Sequence, residues 1–129
     1  VIACQTGIQL SPGATNNWIR APFTHLCNTH IVIGEKEGAR TSLNRIEAFI
    51  DGGGIKDNVG VVLHGHRNLL TLSFGANAPE KNLVVEAGAA NNLITCLNLP
   101  NGVTDHASGP NRLTLPEGDR ILGAAKKSP

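Results

Sequence analysis

Along the second half of the chain, short runs alternate apolar and polar positions and return at a nearly constant interval. Asn68-Leu69-Leu70-Thr71-Leu72, Asn92-Leu93-Ile94-Thr95-Cys96 and Asn111-Arg112-Leu113-Thr114-Leu115 share one pattern. Asn44-Arg45-Ile46-Glu47-Ala48 and Asn17-Trp18-Ile19-Arg20-Ala21 carry it towards the start, at successive sequence intervals of 27, 24, 24 and 19. A period of two predicts strands with one buried face. Ile46, Leu70, Ile94 and Leu113 are therefore expected to point inward, followed by Ala48, Leu72, Cys96 and Leu115. Thr71, Thr95 and Thr114 then align on the outside.

A second column interleaves with the first: Ile31-Val32-Ile33, Val61-Val62-Leu63, Val84-Val85-Glu86 and Val103-Thr104-Asp105, the middle two preceded by Asn58 and Asn82. Its last interval, Asn82 to Asn101, shortens by the same amount as Asn92 to Asn111, which reads as one short deletion in a single coil. Internal periods of this length mark solenoids, in which coils stack because none can bury its apolar side alone. The predicted fold is all-β, a right-handed parallel β-helix of about five coils, each about 19 to 30 residues long. The coils span 1–115, with 116–129 as a C-terminal tail or cap. Equivalent strands should lie about 4.8 Å apart, and Asn44, Asn68, Asn92 and Asn111 should form an amide ladder at a turn. An ordinary β-sandwich is the competing fold.

The two columns resemble the right-handed β-helix superfamily of pectate lyases, polygalacturonases, fructan-cleaving transferases and phage tailspikes over roughly residues 7–115. The likeness lies in coil length and stacking columns, not in a family signature. It implies the C-terminal portion of a polysaccharide-cleaving or polysaccharide-rearranging enzyme of lyase, glycosidase or fructosyl transferase type. Its ligand would be a poly- or oligosaccharide in a groove on one outer face, and its location extracellular or virion-associated. Two further readings stand beside it: a non-catalytic trimerising or capping segment of a fibre or tailspike, and a glycan-binding solenoid without catalysis.

Within that frame the candidate catalytic residues are Glu86, Asp105 and His66. The shortened register places Glu86 and Asp105 in one outward column, where two carboxylates can divide acid and base roles. Their plain alternative is a pair of solvated acids. In the turn His64-Gly65-His66-Arg67, the two imidazoles can act as acid and base or share a metal, and Arg67 can hold a sugar carboxylate through two bonds. The Gly-His-Gly element and paired aspartates of polygalacturonase-like enzymes are not reproduced, so their mechanism does not transfer. His64, Arg67 and the outward Trp18 are the substrate-binding candidates, Trp18 by stacking on a sugar or at a subunit contact. The charged stretch Glu35-Lys36-Glu37-Gly38-Ala39-Arg40 reads as an insertion, either a binding lip or a surface loop. The outward row Phe49, Leu69, Leu93 and Leu97 is more apolar than a solvated face should be and points to a homo-oligomer, a trimer by preference.

Composition narrows the chemistry. Met and Tyr are absent and there are one Trp and three Phe, so Val, Ile, Leu and Ala must fill a thin, regular core. A net charge of +1 with scattered Lys and Arg excludes the basic stripe that nucleic acid demands. The longest apolar runs, such as Val59 to Leu63, are too short to cross a bilayer, so no membrane partner is expected. No metal cluster, phosphate-cradling loop or cofactor motif occurs. The chain opens at Val1 without Met, as a processed product or a fragment would. The separation of Cys4 and Cys27 equals that of Ile8 and Ile31, so the two cysteines should occupy equivalent places on adjacent coils as free thiols. Cys96 should be inward and reduced.

Overall fold

The computed structural model of the chain describes residues 2–35 and 41–123. Among these it contains eleven strands and no helix: β1 (Thr6–Leu10), β2 (Trp18–His25), β3 (Thr29–Ile33), β4 (Arg45–Asp51), β5 (Val59–Leu63), β6 (Leu69–Phe74), β7 (Lys81–Val85), β8 (Leu93–Cys96), β9 (Val103–Asp105), β10 (Asn111–Leu115) and β11 (Gly118–Leu122). The chain alternates between two sheets, ordered β1-β3-β5-β7-β9 and β2-β4-β6-β8-β10, with β11 added to the outer edge of β10. Every pair except β10 with β11 is parallel. This is a parallel β-helix of about four turns, as the repeat predicts. The five parallel strands of each sheet are separated by four coil steps.

The first column pairs as its sequence indicates, Ile19 with Ile46, then Leu70, Ile94 and Leu113. Ile46, Leu70, Ile94 and Leu113 are buried, and so are Ala48, Leu72, Cys96 and Leu115 in the next inward row. Ile31, Val61 and Leu83, with Ile33, Leu63 and Val85, supply the opposite wall of the core. Full burial of each such side chain contributes about 1.5–3 kcal/mol, which suits a core built without bulky aromatics.

At the corner entering the six-stranded sheet, asparagines form a continuous ladder. Asn44 donates both its backbone N–H and its Nδ2 to Asn68 Oδ1, at 3.0 and 3.1 Å. Asn68 does the same to Asn92, and Asn92 to Asn111. Asn17 joins at the start through Asn44 Oδ1. The second amide hydrogens reach carbonyls in the preceding coil: Ala14 from Asn44, Thr41 from Asn68 and Gly65 from Asn92. These side chains are buried yet satisfied, the condition under which buried amides hold a fold together. The residue before each, Asn16, Leu43, Arg67 and Asn91, is left-handed at φ between 57° and 59°, which turns the chain sharply into the next strand.

The second column departs from its predicted register by one residue on β7. Val61 pairs with Leu83 rather than Val84, and Leu83 pairs with Val103. The pattern matches Asn82 to Asn58; instead Asn58 Oδ1 accepts the backbone N–H of Glu80, and Lys81 lies opposite Val59. An asparagine at a corner can serve either coil neighbour, so matching Asn to Asn misplaces the strand. The full shortening of the last coil holds in the six-stranded sheet alone. In the five-stranded sheet the step from Leu83 to Val103 is only slightly shorter than the step from Val59 to Lys81.

Residues 116–123, within the predicted tail or cap, turn back as β11 and cover the edge of β10 in antiparallel register. β11 thereby occupies the edge of β10 that the parallel stack leaves open. The insertion read at 35–40 lies, from 36 onward, outside the described residues.

Candidate functional site

The six residues singled out from the sequence fall in separate places. Trp18 stands on the outer face of the six-stranded sheet, 61% exposed, with the Arg45 and Arg20 guanidiniums 4.9 and 5.7 Å from its ring centre. His66 and Arg67 lie at the corner leading into β6, where His66 bridges Ser42 on one side and Ala90 on the other. Arg67 is the left-handed corner residue, and its backbone carbonyl accepts from Leu43. Between the two histidines, Gly65 is buried so closely that an added Cβ would collide with the Thr41 carbonyl oxygen. His64 lies on the other side of that glycine, at the exit of β5.

Glu86 and Asp105 do not share a column. Asp105 pairs with Val85, in the row that contains Leu63, Ile33 and Leu10, which is the inward row of the wall. There its carboxylate accepts the backbone N–H groups of Ala107 (3.0 Å) and Gly123 (2.9 Å), tying down the end of the coil. The one-residue register shift on β7 accounts for the mistaken pairing. Glu86 instead follows His64 and precedes His106 in backbone pairing, since Glu86 N–H donates to Leu63 O and His106 N–H to Val85 O. A carboxylate flanked by two imidazoles on adjacent coils is thus the arrangement that sets Glu86 beside another named candidate, His64, and the sequence pattern does not single out His106. No ion pair among the described residues joins Glu86 to either histidine, and no group of three His, Cys, Asp or Glu there could hold a metal ion.

A concavity lies elsewhere. A groove of about 940 Å³ runs along the outer face of the six-stranded sheet. Its floor is the register row Arg20, Glu47, Thr71, Thr95 and Thr114. Phe49 and Leu97 form one wall. Glu47 holds both Arg20 Nε at 3.0 Å and Arg45 Nη2 at 3.2 Å, so one carboxylate serves two guanidiniums at the head of the groove. Phe23 stacks on Phe49 at 5.9 Å between ring centres. The outward threonines are legible in the alternation, but the groove they floor is not.

His30 is a further feature that the alternation conceals. It is fully buried, shares a 2.9 Å hydrogen bond between Nδ1 and Thr24 Oγ1, and leaves Nε2 without a partner. Burial, reinforced by the nearby His25, lowers its pKa to about 4, so the ring is neutral at ordinary pH. It precedes Ile31, also buried, and strict alternation would put one of the two outside.

No helix among the described residues is long and apolar enough to cross a membrane. The fold defines a parallel β-helix by class. No protein-family model matches the chain, and neither a curated protein nor a solved structure matches it.

Proposed function

We propose that this chain has a structural role, associating with further copies of itself through the outer face of the six-stranded sheet. The observation that carries this is where the exposed apolar side chains lie. Of nine large hydrophobic residues exposed among the described residues, Trp18, Phe23, Phe49, Leu69, Leu93 and Ile121 are on strands of this sheet and Leu97 directly follows β8. Trp18, Leu69 and Leu93 form one row and Phe49 and Leu97 another, on either side of the threonine row, and apolar side chains gathered on one face mark an interaction surface. One carboxylate on this face, Glu47, bridges the guanidiniums of Arg20 and Arg45. Six strands about 4.8 Å apart and about 17 Å long present roughly 500 Å² in plan. That is below the roughly 800 Å² per partner of a stable interface, so the chain should associate weakly.

Sedimentation equilibrium tests it. The chain should associate at tens to hundreds of micromolar, and Leu93→Asp should weaken association about tenfold or more without unfolding the coils. A chain that remains monomeric throughout, or an associating Leu93→Asp variant, would contradict it.

A second reading has one observation in its favour: the hydroxyls of Thr71, Thr95 and Thr114 repeat along the groove floor at the coil spacing. An extended oligosaccharide could bond to them while its apolar faces rest on Phe49 and Leu97. This is the glycan-binding role that the likeness to carbohydrate-active β-helix proteins implies. Polysaccharide cleavage, from the same likeness, has its local support in Glu86 with His64 and His106. Titration with oligosaccharides, read by shifts of the threonine resonances, separates glycan binding from self-association.

A further inference from the structure

We propose that Cys4 and Cys27 form a redox site, a thiol pair that closes to a reversible disulfide when it meets a low-molecular-weight disulfide such as oxidised glutathione. The two residues hold equivalent positions on adjacent coils, since Thr6 pairs with Thr29 and Asn28 N–H donates to Cys4 O. Each follows a left-handed residue, Ala3 and Leu26, so the same sharp corner presents both side chains. Parallel stacking alone would set the thiols side by side. Here the corner turns them towards each other, and the two Sγ atoms, both free thiols, lie 3.2 Å apart. Coil stacking at about 4.8 Å falls within the Cα separations a disulfide accepts, and closing the bond to about 2.05 Å needs an approach of only about 1 Å.

The two sulfurs differ in access. Cys4 is half-buried and Cys27 is buried, with its thiol pushed up first by burial and then by the contact with Cys4. Cys4 is therefore the entry point and Cys27 the resolving thiol. In the first step the Cys4 thiolate attacks one sulfur of oxidised glutathione, forming a mixed disulfide and releasing one glutathione thiolate. In the second, the Cys27 thiolate attacks the Cys4 sulfur and releases the other. The protein loses two protons and two electrons; the electrons reduce the glutathione disulfide, and the two glutathione thiolates take up the two protons. Cys96, buried in the core with its pKa pushed up to about 12, is an internal control.

The test is to incubate the folded chain with oxidised glutathione, denature it in acid, alkylate the remaining thiols and map the peptides. The expected product has lost the mass of two hydrogens, carries alkyl on Cys96 alone and yields a Cys4 to Cys27 cross-linked peptide that dithiothreitol removes. The cross-linked form should melt higher than the reduced one, because the bond joins groups already adjacent in the native coil. Cys4→Ser and Cys27→Ser, each checked for intact strand structure by circular dichroism, should both abolish the cross-link. A lasting glutathione adduct on Cys4 with Cys27 still free to alkylate would overturn the proposal. So would a cross-link between chains, or a cross-linked form that melts lower.

Discussion

Asn68 lies one coil beyond Asn44, and its Oδ1 accepts both the backbone N–H and the side-chain Nδ2 of Asn44. One oxygen thereby satisfies two buried donors, while the Asn68 amide hydrogens go to Asn92 Oδ1 and the Thr41 carbonyl. The ladder couples register to hydrogen bonding: a slip by one residue on any strand would strand a whole column of amides.

Asn68→Ala is expected to cost about 1–3 kcal/mol, the cost of one buried group left unsatisfied. It leaves the Asn44 backbone N–H without its acceptor, while Asn44 Nδ2 keeps the Ala14 and Ser42 carbonyls and the Thr41 carbonyl keeps the His66 N–H. Urea unfolding of the variant beside wild type measures it. A loss under about 1 kcal/mol would mean that water or a shifted corner takes over the ladder.

Arg67 has φ 57° and forms the corner before Asn68. A left-handed conformation costs a residue with a Cβ roughly 1–2 kcal/mol and glycine almost nothing, though glycine gains chain entropy when unfolded. Arg67→Gly should therefore be neutral to stabilising by up to about 1 kcal/mol, and Arg67→Val clearly destabilising. If the side chain also grips a sugar carboxylate, oligosaccharide affinity falls in both variants alike, so melting curves and binding titrations separate the two roles.

Asp105 accepts from Ala107 and Gly123 at the end of the last coil. Asp105→Ala should cost about 1–3 kcal/mol by releasing both backbone donors. Hydrogen exchange should locate the loosening at those two amides and in β11. An unchanged melting point together with loss of a glycan-directed activity would assign Asp105 a chemical role instead of a structural one.

His30 gives the coil stack an acid sensitivity. With the native pKa lowered to about 4 from 6.5, the ring is neutral in both states above pH 6.5. Between pH 6.5 and 4 the unfolded chain binds a proton that the native chain excludes. Stability contributed by the neutral ring is thus full above pH 6.5 and declines as pH falls to about 4. The slope is about 1.4 kcal/mol per pH unit, or about 3 kcal/mol over the window. Denaturant midpoints between neutral pH and pH 4 should show this slope in wild type and lose it in His30→Leu. Equal slopes in the two proteins would place the acid sensitivity elsewhere.

Local sequence determined the five parallel strands of the six-stranded sheet, their inward rows and their stacking register, but not the antiparallel β11 or the irregularity between Ala21 and Thr24. There the two-residue alternation coincides with an asparagine at every corner, and each ladder bond requires the one register that the spacing already shows. Ile46, Leu70, Ile94 and Leu113 were legible for that reason. In the other sheet the last corner does pair asparagines, Asn101 N–H donating to Asn82 Oδ1, but the corner before it does not. Asn58 turns to Glu80 and Asn82 lies opposite Gly60, so only packing against neighbouring coils set β7 one residue from where the pattern put it. That single step moved Asp105 from the outer surface to the inner wall and placed His106, not Asp105, next to Glu86. Tertiary structure alone decided how the outward threonines and leucines combine into a groove and how two cysteine sulfurs come into contact. Parity tells a side chain which face it takes, whereas distances across coils depend on corners whose left-handed residues, Asn16, Leu43, Arg67 and Asn91, recur at the coil interval without one shared residue type.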